Sequence, residues 1–375
     1  MSEQGERNGA LPLPTGSVVG ILGGGQLGRM TAIAANRLGF KTAVLSPRPE
    51  DPAAFVAHHH ICTAFDNETG LAKLAELANV VTYELEQLPA DTLRWLIPRV
   101  PVAPGVRILE VAQDRVREKT FLSSVGIPTA AWRAVERKDD LLAALAEIGR
   151  PAVLKVAYGG YDGKGQAMLE QTTIDAEVLA IWDRFADGAD MTVIIEEKLD
   201  FECELSVIVG RSADGDKVAY DPAFNIHKNH ILDTSEVPGP FTPLVVESAK
   251  AIGFNLAEAL ELVGVLCIEL FLLRSGELRA NEIAPRPHNS GHWTLDAAHT
   301  DQFEQLIRAV CGLPLGNPSR FIDARMQNII GDDVAKVPSY LKISNAKLHL
   351  YGKKDARPGR KMGHVTFIGS TPYSR

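Results

Sequence analysis

The stretch that decides the fold is Gly264–Trp293, which reads GVLCIELFLLRSGELRANEIAPRPHNSGHW. Two apolar runs flank the pair Ser275-Gly276, and this pattern predicts a β-hairpin closed by a two-residue loop. In that register Glu269 lies directly opposite Glu282. A register shifted by one residue would instead place one of these glutamates on the other face of the hairpin.

The two glutamates are predicted to share one hairpin face with apolar side chains. These neighbours are Cys267, Phe271 and Leu273 on the first strand, and Leu278, Ala280 and Ala284 on the second. Like charges with Cβ atoms about 4.5–5.5 Å apart destabilise a hairpin unless a proton or a cation lies between them. Magnesium binds carboxylate oxygens and leaves positions open for phosphate. We therefore predict a magnesium site at Glu269 and Glu282.

The composition is that of an ordinary globular protein with about two to three domains. The chain has 375 residues, of which 45% are hydrophobic and 23% are charged. Its net charge of −8 argues against general nucleic-acid binding. The four cysteines lack metal-type spacing and no apolar run reaches membrane-spanning length, so we expect a reduced, cytoplasmic protein with no membrane contact. Residues 1–16 are expected to form a disordered tail.

A glycine loop follows the first predicted strand, Ser17–Leu22, and precedes a helix. Gly23, Gly25 and Gly28 match the G-x-G-x-x-G pattern of dinucleotide-binding folds. Such folds also carry an acidic residue at the end of the second strand, and the segment Leu45–Arg48 has none. Because free N–H groups and the helix dipole favour any phosphate, we favour the phosphate of a small metabolite. A nicotinamide dinucleotide and a purely structural turn both stay open.

A second glycine loop follows a lysine-bearing strand in the middle of the chain. Lys155 lies in the apolar strand Pro151–Val156, and residues Ala157–Gln166 then read AYGGYDGKGQ. The loop lacks the G-K-[ST] ending of a Walker motif, but the N–H groups of a mobile glycine loop can close over phosphates. The lysine beside the loop can neutralise phosphate oxygens. The same residues could also form an ordinary surface hairpin turn.

Two polar segments in the second half of the chain could bind ligands. Residues Asn225–His230 are predicted to form a loop. Residues 353–364, KKDARPGRKMGH, concentrate basic side chains in an acidic protein and form either a solvated charge run or an anion site for a phosphorylated substrate. Beyond Pro318 the chain is predicted to be poor in strands, apart from Ala346–Tyr351 and His364–Ile368.

The order of these features resembles the ATP-grasp superfamily of ATP-dependent ligases, which act through acyl-phosphate intermediates. Within that superfamily the chain is most similar to the 5-(carboxyamino)imidazole ribonucleotide synthases of purine biosynthesis. The resemblance spans nearly the whole chain after the tail. The motifs that carry it are GGGQLGRM (23–30), TYELE (82–86), YGGYDGKGQ (158–166), NIHKNHIL (225–232), NEIAPRPHNSGHWT (281–294) and RPGRKMGH (357–364).

The resemblance implies a mixed α/β and α+β fold in three parts. These are a doubly wound N-terminal domain over residues 17–110, a two-lobed ATP-grasp domain over 111–312, and a small β-rich C-terminal domain over 313–375 that closes the site. ATP and Mg²⁺ would lie between the two lobes. The implied reaction is the ATP- and bicarbonate-dependent carboxylation of the exocyclic amine of 5-aminoimidazole ribonucleotide, through carboxyphosphate, in de novo purine biosynthesis. A homodimer is also implied.

The same resemblance assigns roles to individual residues. For ATP, the residues assigned to its phosphates are Arg115 and Lys155, and those assigned to the loop that covers the phosphates are Gly160, Tyr161, Asp162, Gly163, Lys164, Gly165 and Gln166. The adenine is assigned to Glu196, Glu197, Lys198 and Leu199, and the ribose to Glu204. The residues expected near the phosphates and metals are His227, Asn281 and Glu282. Tyr161, Asp162 and Lys164 are assigned to the bicarbonate and amine, and Arg286 to carboxyphosphate. The ribonucleotide is assigned to Gln26, Leu27, Glu84, Asn289, Lys353, Arg360 and Lys361.

One departure from the superfamily pattern bears on the metal. Many ATP-grasp enzymes carry Glu-x-Asn at the second metal glutamate, whereas Glu282 is followed by Ile283-Ala284, so a second metal would be held differently.

Three competing functions stay open at this stage. The first is a formate-dependent glycinamide ribonucleotide transformylase of the same superfamily, for which we would expect an acid at Gln26 and aspartate at Asn289. The second is an NAD-dependent oxidoreductase built on the first glycine loop. The third is a non-catalytic nucleotide sensor, although the presence of Lys155, Glu269 and Glu282 argues against it.

Overall fold

The computed structural model describes residues 11–159, 165–186 and 191–369. Within these ranges the strands form three β-sheets. No helix in the described ranges is both long and apolar enough to cross a lipid bilayer. The predicted mixed fold is confirmed, because a parallel sheet in the N-terminal part is followed by two antiparallel sheets.

The N-terminal part is a parallel β-sheet that is packed on both faces. Its elements are β1 (Val18–Leu22), α1 (Gln26–Arg37), β2 (Lys41–Ser46), β3 (His59–Cys62), α2 (Glu68–Leu77), β4 (Val80–Tyr83), α3 (Ala90–Leu96) and α4 (Val106–Gln113). The strand order is β3-β2-β1-β4. Apolar clusters on the two faces explain why β1 is a nearly continuous apolar run. The carboxyl ends of β1 and β4 meet at one edge of the sheet, which places the first glycine loop beside Glu84.

A small antiparallel sheet follows. Its elements are α5 (Arg115–Ser124), β5 (Trp132–Val135), α6 (Leu141–Ile148), β6 (Ala152–Val156), β7 (Gln166–Leu169), α7 (Asp175–Ala186) and β8 (Val193–Glu197), with the strand order β5-β8-β6-β7. Helix α5 begins at Arg115 because the side chain of Asp114 accepts two N–H groups of the first turn. The sheet carries Lys155 on β6 and Glu196 on the neighbouring strand β8.

The largest sheet contains nine strands from the described part of the chain. Its elements and flanking helices are β9 (Phe201–Arg211), β10 (Lys217–Ala219), β11 (Ala223–Lys228), β12 (Ile231–Val237), α8 (Pro243–Ala259), β13 (Gly264–Leu273), β14 (Leu278–Ala284), α9 (Thr294–Ala297), α10 (Gln302–Val310), β15 (Ala324–Ile330), α11 (Val337–Tyr340), β16 (Ala346–Leu350) and β17 (Lys361–Ile368). The main path runs β14-β13-β9-β11-β12-β15-β17-β16, with β10 beside β9. The C-terminal strands therefore continue this sheet.

Two sequence predictions about this sheet were wrong. The segment Asn225–His230 is not a loop, because β11 and β12 form a hairpin in which Lys228 pairs with Ile231. The turn residues Asn229 and His230 both have positive φ, as a tight two-residue hairpin turn requires. The expected scarcity of strands beyond Pro318 also overlooked β15, whose pairing with β12 attaches the C-terminal strands to the rest of the sheet.

The hairpin of β13 and β14 confirms the pairing of Glu269 with Glu282, but its loop length and its register near the loop differ from the prediction. The Leu273 N–H donates to the Glu277 carbonyl, so the loop has three residues and not two. The pairing then shifts by one residue between Leu270 and Glu269, where the second strand bulges.

This bulge changes the predicted neighbours of the two glutamates. Before the bulge, Ala280 pairs with Leu270 and Leu278 pairs with Leu272. Both pairs lie in the apolar core under the sheet. Leu278 and Ala280 are therefore on the face opposite to Glu282, and the prediction that they share its face was wrong. The reason is that one extra residue reverses the alternation of side chains along a strand.

Candidate active site

Loops of the N-terminal part and strands of both antiparallel sheets line one cavity of about 810 Å³. Most of the predicted site residues that the structure describes line it: Gln26, Leu27, Glu84, Arg115, Lys155, Gln166, Glu196, Glu197, Lys198, Leu199, Glu204, His227, Glu269, Asn281, Glu282, Arg286, Asn289, Lys353, Arg360 and Lys361. Gly165 is described, with a φ of +72°, but does not line the cavity. The predicted residues Gly160, Tyr161, Asp162, Gly163 and Lys164 lie outside the described residues.

The carboxylates of Glu269 and Glu282 line this cavity side by side on paired strands. Burial, and then the charge of Glu282, raise the pKa of Glu269 to about 7, so the pair favours a proton or a cation. Arg115 Nη1 lies 3.2 Å from Glu282 Oε2, and His288 Nε2 lies 3.2 Å from Glu269 Oε1. Burial lowers the pKa of His288 well below its usual range, so this imidazole is neutral and supplies no cation.

The donor set around these glutamates fits magnesium that is shared with a phosphate. No cluster of three or more histidine, cysteine, aspartate and glutamate side chains forms a metal cage among the described residues. Two carboxylates would supply hard oxygen ligands and leave the remaining positions to phosphate oxygens and water, which is how magnesium typically binds beside nucleotides.

Lys155 is held by a buried carboxylate. Its Nζ lies 2.9 Å from Glu196 Oε2, and Glu196 is almost completely inaccessible to solvent. Burial acts to raise the pKa of Glu196, but Lys155 and then Lys119 outweigh it and lower this pKa to about 2. The lysine is therefore fixed in place on β6 by an ionised partner on β8, with its cation at the cavity wall.

Glu204 and His227 form a second pair on neighbouring strands of the large sheet. His227 Nδ1 lies 2.7 Å from Glu204 Oε2. Burial opposes protonation of His227, but Glu204 outweighs it and raises the pKa of the imidazole. The predicted ribose ligand and the predicted phosphate ligand are thus in direct contact, which their separation in sequence did not suggest.

The first glycine loop binds an anion that belongs to the protein itself. The N–H groups of Gly25 and Gly28 both donate to the carboxylate of Glu84, and a Cβ atom at Gly25 would lie 2.8 Å from Glu84 Oε1. These amides are therefore not available to a phosphate, contrary to our prediction for the loop. The glycines instead allow Glu84 to approach the helix N-terminus, where burial raises its pKa and the two N–H groups and the dipole partly offset that rise.

Arg286 is paired with Glu86 in a two-pronged contact. Arg286 Nη2 donates to Glu86 Oε1 over 2.8 Å, and Nε donates to Oε2. Burial acts to raise the pKa of Glu86, but Arg286 outweighs it and the pKa falls below its usual range. Because two parallel bonds fix its plane, the guanidinium is oriented in advance of any ligand.

The cavity is also lined by a buried amide and a group of cations. Asn289 is buried, and neither polar atom of its side chain has a hydrogen-bond partner among the described residues. Lys353 Nζ donates to the carbonyl of Lys361 over 2.8 Å, and Arg360 Nη1 donates to the carbonyl of Asp355 over 2.9 Å. Burial, and then the charge of Arg360, lower the pKa of Lys353 to about 8.

Sequence reasoning missed two residues beside this site, Glu118 and Lys119. Both are buried on helix α5 and contact strand β14. A signal was present, because Asp114 is a helix N-cap residue and places Arg115, Glu118 and Lys119 on one helix face. Their partners on β14 are more than 160 residues away in the chain, so these contacts could not be inferred from local spacing.

Three models of known families match consecutive parts of the chain. The ribonucleotide synthetase preATP-grasp domain matches residues 17–113, and the ATP-grasp domain matches residues 120–303. The phosphoribosylaminoimidazole carboxylase C-terminal domain matches residues 324–374. The superfamily that the motifs resemble is therefore confirmed.

Similar proteins and structures cover nearly the whole chain. The N5-carboxyaminoimidazole ribonucleotide synthase of Brucella melitensis biotype 1 is 48% identical over 356 residues, which are 95% of this chain and 97% of that protein. The structure of an N5-carboxyaminoimidazole ribonucleotide synthetase in its ADP complex matches with a TM-score of 0.90 and 42% identity, over 95% of this chain and 93% of the other. The structure of the Aspergillus clavatus synthase in complex with ADP and 5-aminoimidazole ribonucleotide matches with a TM-score of 0.86 and 29% identity, over 94% of each chain.

These relatives and solved structures come from one enzyme family and share its name. They do not support the oxidoreductase, transformylase and sensor functions that the sequence left open. Since relatives far above 30% identity are matched along almost their full length, the chain belongs to the N5-carboxyaminoimidazole ribonucleotide synthase family of the ATP-grasp superfamily.

Proposed function

We propose that this protein is an ATP-dependent carbon–nitrogen ligase that carboxylates the exocyclic amine of 5-aminoimidazole ribonucleotide in de novo purine biosynthesis. The observation that carries the proposal is the single cavity shared by two sets of residues. One set, around Lys155, Glu269 and Glu282, suits a nucleotide triphosphate with its metal. The other, around Asn289, Lys353 and Arg360, suits a phosphorylated second substrate.

In the first step, a bicarbonate oxygen attacks the γ-phosphorus of ATP, the bond to the β-phosphate oxygen breaks, and ADP and carboxyphosphate form. Lys155 and Arg115 neutralise phosphate oxygens, and positioning of this kind supplies most of the catalysis in phosphoryl transfer. Glu269 and Glu282 would hold Mg²⁺, which neutralises charge on the phosphates when it is bound. Residues 160–166 would cover the phosphates, and Glu197, Lys198 and Leu199 would contact the adenine.

In the second step, the exocyclic amine of the ribonucleotide attacks the carboxyl carbon of carboxyphosphate, or of CO2 released from it. A C–N bond forms, inorganic phosphate leaves and the amine loses a proton. Arg286 stabilises the anionic intermediate, and Tyr161, Asp162 and Lys164 are the candidates for contact with bicarbonate and the amine. Such an intermediate hydrolyses in water, so a loop that excludes water has a clear purpose.

The ribonucleotide lies at the end of the cavity that the N-terminal and C-terminal segments form together. Lys353, Arg360 and Lys361 bind its phosphate, and the amide of Asn289 bonds to its polar groups. Gln26, Leu27 and Glu84 line the same end at the first glycine loop. From the family we also expect a homodimer that acts in the cytoplasm. Light scattering of the purified protein would measure its molar mass and so test the expected dimer.

Release of ADP, measured with each substrate omitted in turn, tests this function. We expect turnover only when aminoimidazole ribonucleotide and bicarbonate are both present. Turnover that requires formate and glycinamide ribonucleotide instead would contradict the proposal and favour the transformylase. Tight binding of NADH without binding of ATP would favour the oxidoreductase, and a fluorescence titration of NADH measures it.

A further inference from the structure

Lys119 is a fully buried cation that contacts two different sheets. Its Nζ donates to the carbonyl of Asn281 over 2.9 Å and to that of Ala280 over 3.4 Å, both on strand β14. The same atom lies 3.6 Å from Glu196 Oε1 on strand β8. Helix α5 therefore inserts one ammonium group between the strand that carries Glu282 and the strand that carries Glu196.

The preceding residue, Glu118, binds the peptide group on the other side of Glu282. Glu118 Oε1 accepts a hydrogen bond from the N–H of Ile283 over 2.6 Å. Two consecutive residues of α5 thus bind the peptide groups immediately before and after Glu282. These groups lie next to the bulge of β14, where the regular ladder shifts by one residue and does not define the strand by itself.

Glu196 connects this arrangement to the phosphate-binding lysine. Its Oε2 bonds to Lys155 at 2.9 Å, while its Oε1 faces Lys119. The chain of contacts therefore runs from the backbone of Glu282 through Lys119 and Glu196 to Lys155. It joins the large sheet to the small sheet through three buried charged groups.

We propose that Lys119 is a positioning residue that sets the separation between the phosphate-binding Lys155 and the metal-binding Glu282. The inference rests on the proposed roles of Lys155 and Glu282 in binding ATP and its metal. Those two groups lie in different sheets, so nothing in either sheet alone can fix their distance. A buried ammonium that contacts both sheets does so, because moving either strand would leave a charge or two carbonyls without a partner.

A purely structural role of Lys119 would have a different experimental consequence. Buried ion pairs add little to stability compared with apolar residues of the same size, so Lys119 has no clear advantage as a packing residue. If it only filled space, Lys119→Met would retain the volume and change the melting temperature alone. If it positions the site, the same substitution must alter the metal requirement of a protein that is still folded.

The experiment compares Lys119→Met with the wild type in ATP turnover at varied Mg²⁺ and varied aminoimidazole ribonucleotide. We expect kcat to fall by about 10–100-fold, which is the usual effect of removing a group that orients metal ligands. The Mg²⁺ concentration for half-maximal rate should rise, and so should the Kd for Mg²⁺–ADP measured without turnover by isothermal titration calorimetry, while the KM for the ribonucleotide stays unchanged. Lys119→Arg, which retains a cation with several donors, should recover part of kcat.

The matched control is Lys250→Met, which removes a half-buried lysine that is paired with Asp221 outside the cavity. Its kcat and Mg²⁺ requirement should equal those of the wild type. Wild-type values for both quantities in folded Lys119→Met would overturn the proposal, as would a rise in the ribonucleotide KM alone. If Lys119→Met does not fold, Lys119→Gln is judged by the same two quantities. Absence of ATP turnover in the wild type would instead refute the proposed function, so the two failures are distinguishable.

Discussion

The nucleotide end and the ribonucleotide end of the cavity, named for the ligands that we propose, differ in how their charged side chains are paired. At the nucleotide end, cations face carboxylates: Lys155 is paired with Glu196, and Arg115 contacts Glu282. At the ribonucleotide end, Lys353 and Arg360 donate to main-chain carbonyls, which leave their positive charge in place. The nucleotide end is therefore close to neutral before ATP arrives, whereas the other end carries a positive field.

This difference matches the ligands that we propose. ATP arrives with a divalent metal that offsets much of its charge, so the protein needs fixed geometry more than additional cations. The phosphate of a ribonucleotide carries about two negative charges with no metal, so it needs the cations themselves. Substitutions at the nucleotide end should accordingly change catalysis, and those at the ribonucleotide end should change substrate affinity.

The largest effect is expected from Glu282→Gln. The loss of one metal carboxylate should lower ADP formation by about 100–1000-fold, comparable with the loss of a key electrostatic group in other active sites. The fold should survive, because the substitution also relieves repulsion with Glu269. The control is Glu277→Gln near the same hairpin loop, where the carboxylate is exposed and pairs with the neighbouring Arg279. Near-normal turnover of Glu282→Gln with Mg²⁺ would refute the metal assignment.

The pairing of Glu269 with Glu282 was predictable, whereas the geometry that supports it was not. Strand alternation and a turn signal were enough to bring the two carboxylates together. The strand beside the bulge is held by Lys119 and Glu118, which approach from a helix more than 160 residues earlier in the chain. Local periodicity contains no information about such a contact.

The first glycine loop is a second case in which the sequence predicted a local feature but not its partner in the tertiary structure. Its pattern correctly indicated a helix N-terminus that binds an anion. The anion is Glu84, just beyond the end of β4, and the sequence motif could not distinguish a carboxylate of the protein from a phosphate of a ligand. Motif reasoning therefore identified the chemistry of this loop, and only the tertiary structure identified its partner.

The next largest effect is expected from Lys155→Met. We expect kcat to fall by about 100-fold through the loss of a phosphate-binding cation. The free energy of unfolding should also fall by about 1–3 kcal/mol, because buried Glu196 loses its nearest partner but retains Lys119. Steady-state kinetics and urea unfolding measure the two quantities.

The pH dependence of stability distinguishes the cause of that loss. The pKa of Glu196 in the folded protein, about 2, is below its unfolded value. The contribution of the ionised Glu196 to the free energy of unfolding is therefore present above about pH 4.5 and is lost as the pH falls towards 2. In Lys155→Met this acid-dependent loss should be smaller. An unchanged acid profile would show that Lys155 does not stabilise the Glu196 charge.

A smaller effect, on affinity alone, is expected from Arg360→Ala. One charge-assisted contact to phosphate corresponds to about a tenfold rise in the KM for aminoimidazole ribonucleotide. The KM for ATP should not change. The matched control is Arg357→Ala in the same basic segment, because Arg357 is exposed and does not line the cavity. A raised KM for ATP with an unchanged KM for the ribonucleotide would assign the basic cluster to the nucleotide end.

The smallest effect concerns pH at the ribonucleotide end. Burial and the charge of Arg360 lower the pKa of Lys353 to about 8, so Lys353 is a cation below pH 8 and becomes neutral as the pH rises through that value. A neutral amine attracts phosphate less, so kcat/KM for the ribonucleotide should fall about threefold to tenfold between about pH 7 and pH 9, since this ratio reports groups of the free enzyme.

The matched variant for this pH effect is Lys353→Arg. Its guanidinium does not titrate in this range, so the decline near pH 8 should disappear. The pH dependence of the KM for ATP should be the same in both proteins, because the substitution leaves the residues of the nucleotide end unchanged. A decline that persists in Lys353→Arg would mean that another group titrates, and the positive field of this end would then not depend on Lys353.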